Sequence, residues 1–470
     1  MVSLDNWIEA ISPGWALKRA QSRARLDNYR INTDKNLRTK ALDIGGPNNV
    51  ANAHQAKLRN WGRHLQRNSP TVAAIIRELA LRTSHYQVAP QIKDRAGNLA
   101  EKANAEIGRA YRLWADVADH QGAMCWAQMR QLQGEHWVRD GEVLALTTLG
   151  SARVSYASDI PLTIQTLESD FLPVDKSAVD DPRIVQGVEL NKAAQEVAYH
   201  LYRSHPKENI ASLGETFRMP KEKTILLRNI VRAGQVRGLS MLAPSDETVA
   251  DVDDYLASER IAMKFASAIG LKVTKDPDFK APVLDSDGNE NFTFAPGMTW
   301  RGAPGEDIGM LNIDRPGNSF EPYLRQMQRQ AAAGVGVNYS AMSNDFSGSY
   351  SSQRQMLVTA QAWYDQLQCI QVRQIEERVY QAFLQGLTLA GQMPSLRGID
   401  ERTLTDVDFI PPAMPWIDPL REVQADIALV DNALESRQGV IRKRGGSVER
   451  INREREQNGE PANATPTRAA

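Results

Sequence analysis

Several groups of side chains in this 470-residue chain have the types that chemistry uses, and their spacing decides what each can do. Gly334 and Gly336 form a G-x-G that could cradle a phosphate. The dinucleotide version needs a preceding strand and a third glycine at position 339, where Tyr339 stands. Asp251, Asp253 and Asp254 could hold a metal for a nuclease, but positions 253 and 254 are adjacent and diverge around a helix, which fits a solvated or subunit-facing acidic patch. His200 and His205 lie five apart in a predicted strand, so they point to opposite faces. The run Asp285-Ser286-Asp287-Gly288-Asn289 has the composition of a calcium loop, yet Glu290 falls where that loop requires glycine, and a hairpin turn is the reading. The chain has no G-x-x-x-x-G-K-[ST] of a nucleotide-driven motor, no G-x-S-x-G elbow and no H-E-x-x-H. The residues therefore predict no catalytic constellation, no metal site and no cofactor. Lys264, Lys272 and Lys275 are the local candidates for phosphate contact, beside the ordinary reading of surface lysines with solvated heads.

The richest polar stretch is Ala331 to Gln355, AAAGVGVNYSAMSNDFSGSYSSQRQ. Glycines alternate there with short polar residues that bend backbone. Upstream, Phe320, Leu324 and Met327 recur at helical spacing, and downstream Met356, Ala360, Trp363, Leu367 and Ile370 step by four, three, four and three. Two helices flanking an ordered loop is the expectation, with few core contacts depending on the loop. Helices are also predicted at about 58–83, 98–118 and 122–139, the first with an apolar face of Val72, Ile75, Ile76, Leu79 and Leu81. Short strands follow at Val143–Thr148, Leu162–Leu167, Ile184–Leu190, Val197–Arg203 and Thr224–Val231, with a turn at Asn191–Gln195. A long helix is expected from Ser245, its N-cap, to Ile269, closed by Gly270, roughly 38 Å long. Its stripe is Val249, Val252, Leu256, Ile261, Phe265 and Ile269. The helix from Ser351 to about Ala390 contains no proline and could exceed ~50 Å. The fold class is α+β, mainly helical.

A count of 56 Lys and Arg against 57 Asp and Glu, net charge −1, provides no global basic field for clamping nucleic acid. Cys125 and Cys369 offer neither a disulfide framework nor a zinc spacing and suit a reducing cytoplasm. The N-terminus has no signal-peptide core, and the longest apolar run, near Phe265–Leu271, is far short of the ~20 residues that span a bilayer, so no membrane partner is expected.

The order of residues in GVGVNYSAMSNDFSGSYSSQR resembles a characteristic segment of lambda-family phage portal proteins, A-G-x-G-V-x-Y and then D-F-S-x-x-Y-S-S-x-R. The matching residues are Gly334, Gly336, Val337, Tyr339, Asp345, Phe346, Ser347, Tyr350, Ser351, Ser352 and Arg354. LRNWGRHLQRNSP at Leu58–Pro70 is similar to the family's R-x-L-x-R-N-x-P. VAYHLYRSHP at Val197–Pro206, the residues Ala233–Gly238 and WIDPLR with Glu422 match further segments in the family's order. The resemblance implies a portal fold with wing, stem, clip and small crown, assembled as a ring that is dodecameric in the family. The ring would sit at one capsid vertex, pass double-stranded DNA during packaging and ejection, and meet the terminase large subunit, the major capsid protein and the head–tail joining proteins. It implies a virion component assembled in the host cytoplasm, and not an enzyme; the competing class is a DNA-processing nuclease or ATPase of the packaging machinery.

Lys18, Arg19, Arg23, Arg25, Arg30, Lys35, Arg38 and Lys40 with few large apolar residues predict a solvated basic N-terminal arm at 1–55, or one that docks on a neighbouring subunit. Mapped on this sequence, the resemblance implies a wing at 56–244, a stem helix at 245–270, a clip at 271–316 and a second stem helix at 317–335. A tunnel loop at 336–352 and a long helix with crown and wing return at 353–434 would follow, and the small and polar residues of GEPANATPTRAA predict that the C-terminal segment at 435–470 ends in a disordered tail. The loop would present Asn338, Tyr339, Ser343, Asn344, Asp345, Phe346, Ser347, Gly348, Tyr350, Ser351, Ser352 and Arg354, while Val252, Leu256 and Phe265 would pack the stem and Lys264, Lys272 and Lys275 would face DNA.

Overall fold

The computed structural model describes residues 46–176, 183–208, 215–267, 271–275, 306–310, 320–411, 419–446 and 448–459. The basic arm before Gly46, the cap at Gly270, the turn at 285–289 and the tail from residue 460 lie outside the described residues. The chain divides into one unit of Met1–Glu247 with Gln330–Ala470 and another of Thr248–Arg329.

In chain order the elements are α1 (Pro47–Asn68), α2 (Pro70–Thr83), β1 (Gln87–Pro90), α3 (Glu101–Ala115), α4 (Trp126–Asp140), β2 (Glu142–Leu149), β3 (Leu162–Leu167), β4 (Ile184–Val185), β5 (Val188–Leu190), β6 (Glu196–Tyr202), β7 (Thr216–Pro220) and β8 (Thr224–Arg228). They continue as α5 (Asp246–Ser267), β9 (Leu271–Lys275), β10 (Glu306–Met310), α6 (Phe320–Val335), α7 (Tyr339–Ser343), α8 (Tyr350–Gln371), α9 (Glu377–Leu389), β11 (Val407–Ile410), α10 (Pro419–Asp431), α11 (Arg437–Lys443) and α12 (Val448–Gln457). Between α8 and α9 the helix does not break: Val372–Glu376 form a π turn, and the rod from Tyr350 to Leu389 is about 60 Å long. The architecture is α+β with helices dominant.

The first expected helix, 58–83, is two helices. Pro70 has no N–H and would clash inside a helix, so the chain leaves helical geometry at Ser69 (φ −109°, ψ 110°) and Pro70 opens α2 at its first position. Val72, Ile75, Ile76 and Leu79 are buried as expected, whereas Leu81 is exposed. The arm expected through residue 55 gives way at Pro47 to α1, in which Ala51, His54 and Gln55 are buried.

Two antiparallel sheets, β3-β2-β8 and β4-β5-β6-β7, share a core of Leu144, Leu146, Leu167, Leu172, Val188, Tyr199, Leu201, Leu226 and Val236. Gln186 and Gly187, both at positive φ, make the two-residue turn that splits the expected 184–190 strand into β4 and β5. Asn191 turns β5 into β6, its Oδ1 accepting from the N–H groups of Ala193 and Gln195, each at 2.9 Å. A second core is aromatic: Tyr111, Trp114, Trp126, Tyr380 and Phe383 draw α3, α4 and α9 together, with Tyr111 and Phe383 edge to face at 5.0 Å. Three strands escaped the sequence reading: β7, and the pair β1 and β11.

In the other unit, Tyr255 of α5 stacks with Phe320 of α6 at 5.8 Å and meets Tyr323 at a tilt, 4.7 Å away, and β9 pairs antiparallel with β10. Helix α5 is preceded by a 3-10 turn at Ala243–Ser245. Ser245 was expected to cap it, but its hydroxyl donates to the Ala331 carbonyl at 2.7 Å. The expected single stripe along α5 divides. Val249 and Val252 are buried, Leu256 is half-buried and Ile261 is exposed, because at 100° per residue Ile261 lies about 140° around the helix from Leu256.

Candidate functional site

The glycine-rich stretch is held from both sides. Helix α6 stops at Gly336, whose φ of +77° disfavours any side chain and where a Cβ would come within 2.7 Å of the Trp363 ring. The same Trp363 donates its indole N–H to the Val335 carbonyl at 3.1 Å. A Cβ on Gly334 would collide with the Ser245 hydroxyl. The G-x-G pair therefore marks two close approaches of protein to protein and is no phosphate cradle.

The Asn338 side chain then caps α7, accepting from the Ser340 N–H at 2.9 Å. Val337, Asn338, Ser340 and Met342 are buried, and α7 packs on α2. The expectation that few core contacts depend on the loop is thus wrong for its first half. Asn344 takes the left-handed φ of 54° that its short polar side chain tolerates. Asp345 ties the bend: it accepts from the Tyr339 hydroxyl at 3.1 Å and from the Ser347 N–H at 3.0 Å, while its own N–H donates to the Ser343 hydroxyl at 3.2 Å.

Beyond this knot the chain is open. Phe346 is 65% exposed, Ser347, Gly348, Ser351 and Ser352 are exposed, and a Cβ on Gly348 would meet only the Gln353 side chain. Ser349 caps α8 by accepting from the Ser352 N–H at 3.3 Å, and Tyr350 is the first residue of that helix. Arg354 reaches Glu422 of α10 at 3.7 Å, and Arg444 joins the same carboxylate at 2.8 Å. The twelve expected loop residues thus fall into anchors, Asn338, Tyr339, Ser343 and Asp345, and a presented tip of Asn344, Phe346, Ser347, Gly348, Ser351 and Ser352, with Tyr350 in the first turn of α8 and Arg354 braced against the C-terminal helices.

Of the other expected residues, Val252 is buried, Leu256 half-buried and Lys264 exposed. For Phe265, Lys272 and Lys275 only the backbone is described; β9 registers Lys275 opposite Glu306 and Lys272 opposite Gly309.

Sequence reasoning missed a buried ionic network between α1, α4 and the loops of the sheets. Arg237 and Glu142, both fully buried, pair two-pronged, and Glu142 also accepts from the Gly238 N–H at 2.8 Å and from Gln55 at 2.6 Å. The backbones meet because Gly141 (φ +85°) and Gly238 lack side chains; a Cβ on either would enter the other strand's peptide. Nearby, Arg63 bridges Asp140, Asp170 and Glu168 at 2.8, 2.7 and 3.1 Å, and Arg59 reaches Asp170 at 3.3 Å. Burial opposes ionisation of Asp140, but hydrogen bonds from Arg139 and Arg63 hold its carboxyl below the usual range. For Asp170 burial is likewise outweighed by Arg59 and Arg63.

Glu168, Asp170 and His205 converge closely enough to suggest a metal. Arg63 sits on both carboxylates, Lys207 lies 3.6 Å from Asp170, and His205 leans on Glu168 at 3.4 Å, so cations of the protein already occupy the ligand directions. The signal for this network lay in the matched segments themselves, since Arg63 belongs to R-x-L-x-R-N-x-P and Arg237 and Gly238 to Ala233–Gly238.

The geometry is that of an α+β scaffold that anchors the base of one loop and presents its tip. Residues 34–368 match the family described as "Phage portal protein, lambda family", and the chain belongs to that family. Among curated proteins it is similar to a "Probable portal protein" of Halomonas phage phiHAP-1, 22% identical over 352 residues that cover 72% of this chain and 67% of the relative. Solved structures similar to it include "Neck of native GTA particle computed with C12 symmetry", at TM-score 0.49 and 10% identity, covering 87% of this chain and 93% of that one. Another is "Neck of empty GTA particle computed with C6 symmetry", at TM-score 0.48 and 12% identity, covering 84% and 93%.

Proposed function

We propose that this portal-family chain assembles into a ring, dodecameric as the resemblance implies, at one vertex of a tailed double-stranded DNA phage head, and that the tip from Asn344 to Ser352 faces the DNA path. The carrying observation is the division of the loop: an anchored base, tied by Asp345 and Asn338, bears an exposed tip in which Ser347, Gly348, Ser349, Ser351 and Ser352 surround the large exposed side chain of Phe346, inside the family-matched region. The glycine and serines of such a tip let backbone approach DNA closely. The ring passes DNA without catalysing its chemistry.

Near-equal counts of acidic and basic residues favour a conduit over a clamp. Each salt-bridged phosphate steepens the salt dependence of binding, and neutralising six to ten of them would change affinity by about 10³–10⁵ between low and moderate salt. A pore that held DNA so tightly would stall it. In this reading residues 56–244 form the wing, 245–270 and 317–335 the stem, 353–434 the crown and wing return, and 271–316 the clip. The clip meets the terminase large subunit and later the head–tail joining proteins, and the wing meets the major capsid protein.

The test is Gly348→Trp. Rings and heads of normal size with shortened or leaking genomes, read as encapsidated DNA length beside ring mass, are expected. Full-length, stably retained DNA would remove the tip from the DNA path, and loss of the ring would place it at a subunit contact.

A further inference from the structure

The buried carboxylates of the ionic network are each met by several donors: Glu142 by Arg237, Gln55 and the Gly238 N–H, Asp140 by Arg63 and Arg139, Asp170 by Arg59 and Arg63. Glu376 is different. It closes the π turn between α8 and α9, is fully buried, and neither of its oxygens accepts a hydrogen bond. The Arg130 guanidinium of α4 stops 3.5 Å away through one nitrogen, and that same nitrogen donates to the Tyr86 carbonyl at 3.1 Å. Around the pair, the Trp126 indole N–H and the hydroxyls of Tyr111 and Tyr380 are likewise buried without hydrogen-bond partners. Tyr380 lies one helical turn beyond Glu376, on the same face.

An ionised carboxylate can only accept, so here its lone pairs would go unmet in an apolar core. The protonated acid has a proton to give and phenol oxygens nearby to take it. Burial pushes the Glu376 carboxyl above the usual glutamate range, with Arg130 and the Trp126 indole opposing. The other titratable groups facing it, Tyr111 from α3 and Tyr86 before β1, are held protonated by their own burial. Strand β8 also packs on the turn, but its Arg228 guanidinium pairs with Glu196. On the solvent side of the turn, Arg373 pairs with Glu377 at 4.0 Å. We propose that Glu376 is uncharged in the folded chain near neutral pH and acts as a proton-operated latch, holding the π turn and the start of α9 against α3 and α4 while the proton is on and loosening them when it is lost. The latch belongs to the single chain and does not rest on the ring reading. Because the folded chain binds this proton more tightly than the unfolded one, its contribution is complete below the ordinary value of 4.5 and is lost as pH rises toward the folded pKa.

The test is hydrogen exchange of the full chain between pH 5 and 7, read at the amides of α9 and corrected for the intrinsic pH dependence of exchange. The opening constant of the parent should rise by about tenfold per pH unit across that window. In Glu376→Gln, which keeps the size and cannot ionise, that rise should disappear. The difference between the two proteins separates Glu376 from Asp246, the other described carboxyl that burial raises. Equal pH dependence in parent and variant would overturn the proposal. Opening of the parent that instead increases toward acid would also overturn it, and would make Glu376 an ionised partner of Arg130. If Glu376→Gln fails to fold, infrared spectra of Asp246→Asn at pH 7 decide: the carbonyl stretch of a protonated carboxylic acid supports the latch, and its absence overturns it.

Discussion

Arg237 is the residue whose loss this fold would feel most. It is fully buried with Glu142, and its guanidinium also donates to the Gln186 carbonyl at 2.9 Å. Arg237→Leu would leave Glu142 charged, buried and without its main counter-ion, which costs about 3–5 kcal/mol. Urea denaturation should show that loss as a lowered midpoint or as insoluble protein; an unchanged midpoint would mean the network relaxes around the gap. Asp246 makes a pH-dependent contribution. Burial raises its carboxyl to about 6, with Glu247 acting in the same direction and Trp61 in the opposite one. The folded state therefore holds the proton more tightly than the unfolded chain, so stability falls as pH rises from about 4 to about 6 and stays lowered above. Asp246→Asn should be more stable than the parent by about 1–2 kcal/mol at pH 7.5. The advantage should vanish near pH 4, and thermal melts across that range measure it.

At the scale of elements, local pattern and observed structure agree where partners are close in sequence. The alternation at Leu162–Leu167 and Val197–Tyr202 was legible because each strand has one apolar face and a nearby turn. The β1–β11 pair was not, since Val88 finds Phe409 some 320 positions away and Pro90 speaks locally against a strand. The ionic network was invisible to composition for a related reason: an arginine reads as solvated until the fold buries it. The loop was read well in its order of residues and poorly in its packing, because Gly336 owes its place to Trp363, which lies in another helix. Gly336→Ala should cost about 1–3 kcal/mol through its left-handed backbone and the displaced indole. It should also change Trp363 fluorescence, and unaltered emission and stability would show that the junction yields freely.

For the whole molecule, assembly is the property to test first. Val252 is already buried within the single chain, so it reports on folding, while Leu256 remains half-buried and available to a neighbour. Leu256→Asp should leave folded single chains in place of rings, because an unpaired carboxylate in an apolar contact costs several kcal/mol, on the order of 3–5. Sedimentation velocity reads the outcome directly, and intact rings would move the stem contact elsewhere. The family match and the order of motifs agree on one kind of object, a phage portal protein.

The π turn at Val372–Glu376 works as a leap day in a calendar. Along the rod the buried residues Leu367, Gln371, Ile375, Val379 and Phe383 recur every fourth position. On a helix of 3.6 residues per turn that line would drift by about 40° at each step. The extra residue of the π turn takes back about 100° of that drift, so the line from Leu367 to Phe383 stays on the buried side. Deleting one residue of Val372–Glu376 would therefore set α9 a day out of season, turning Val379 and Phe383 about 100° from the core they now close.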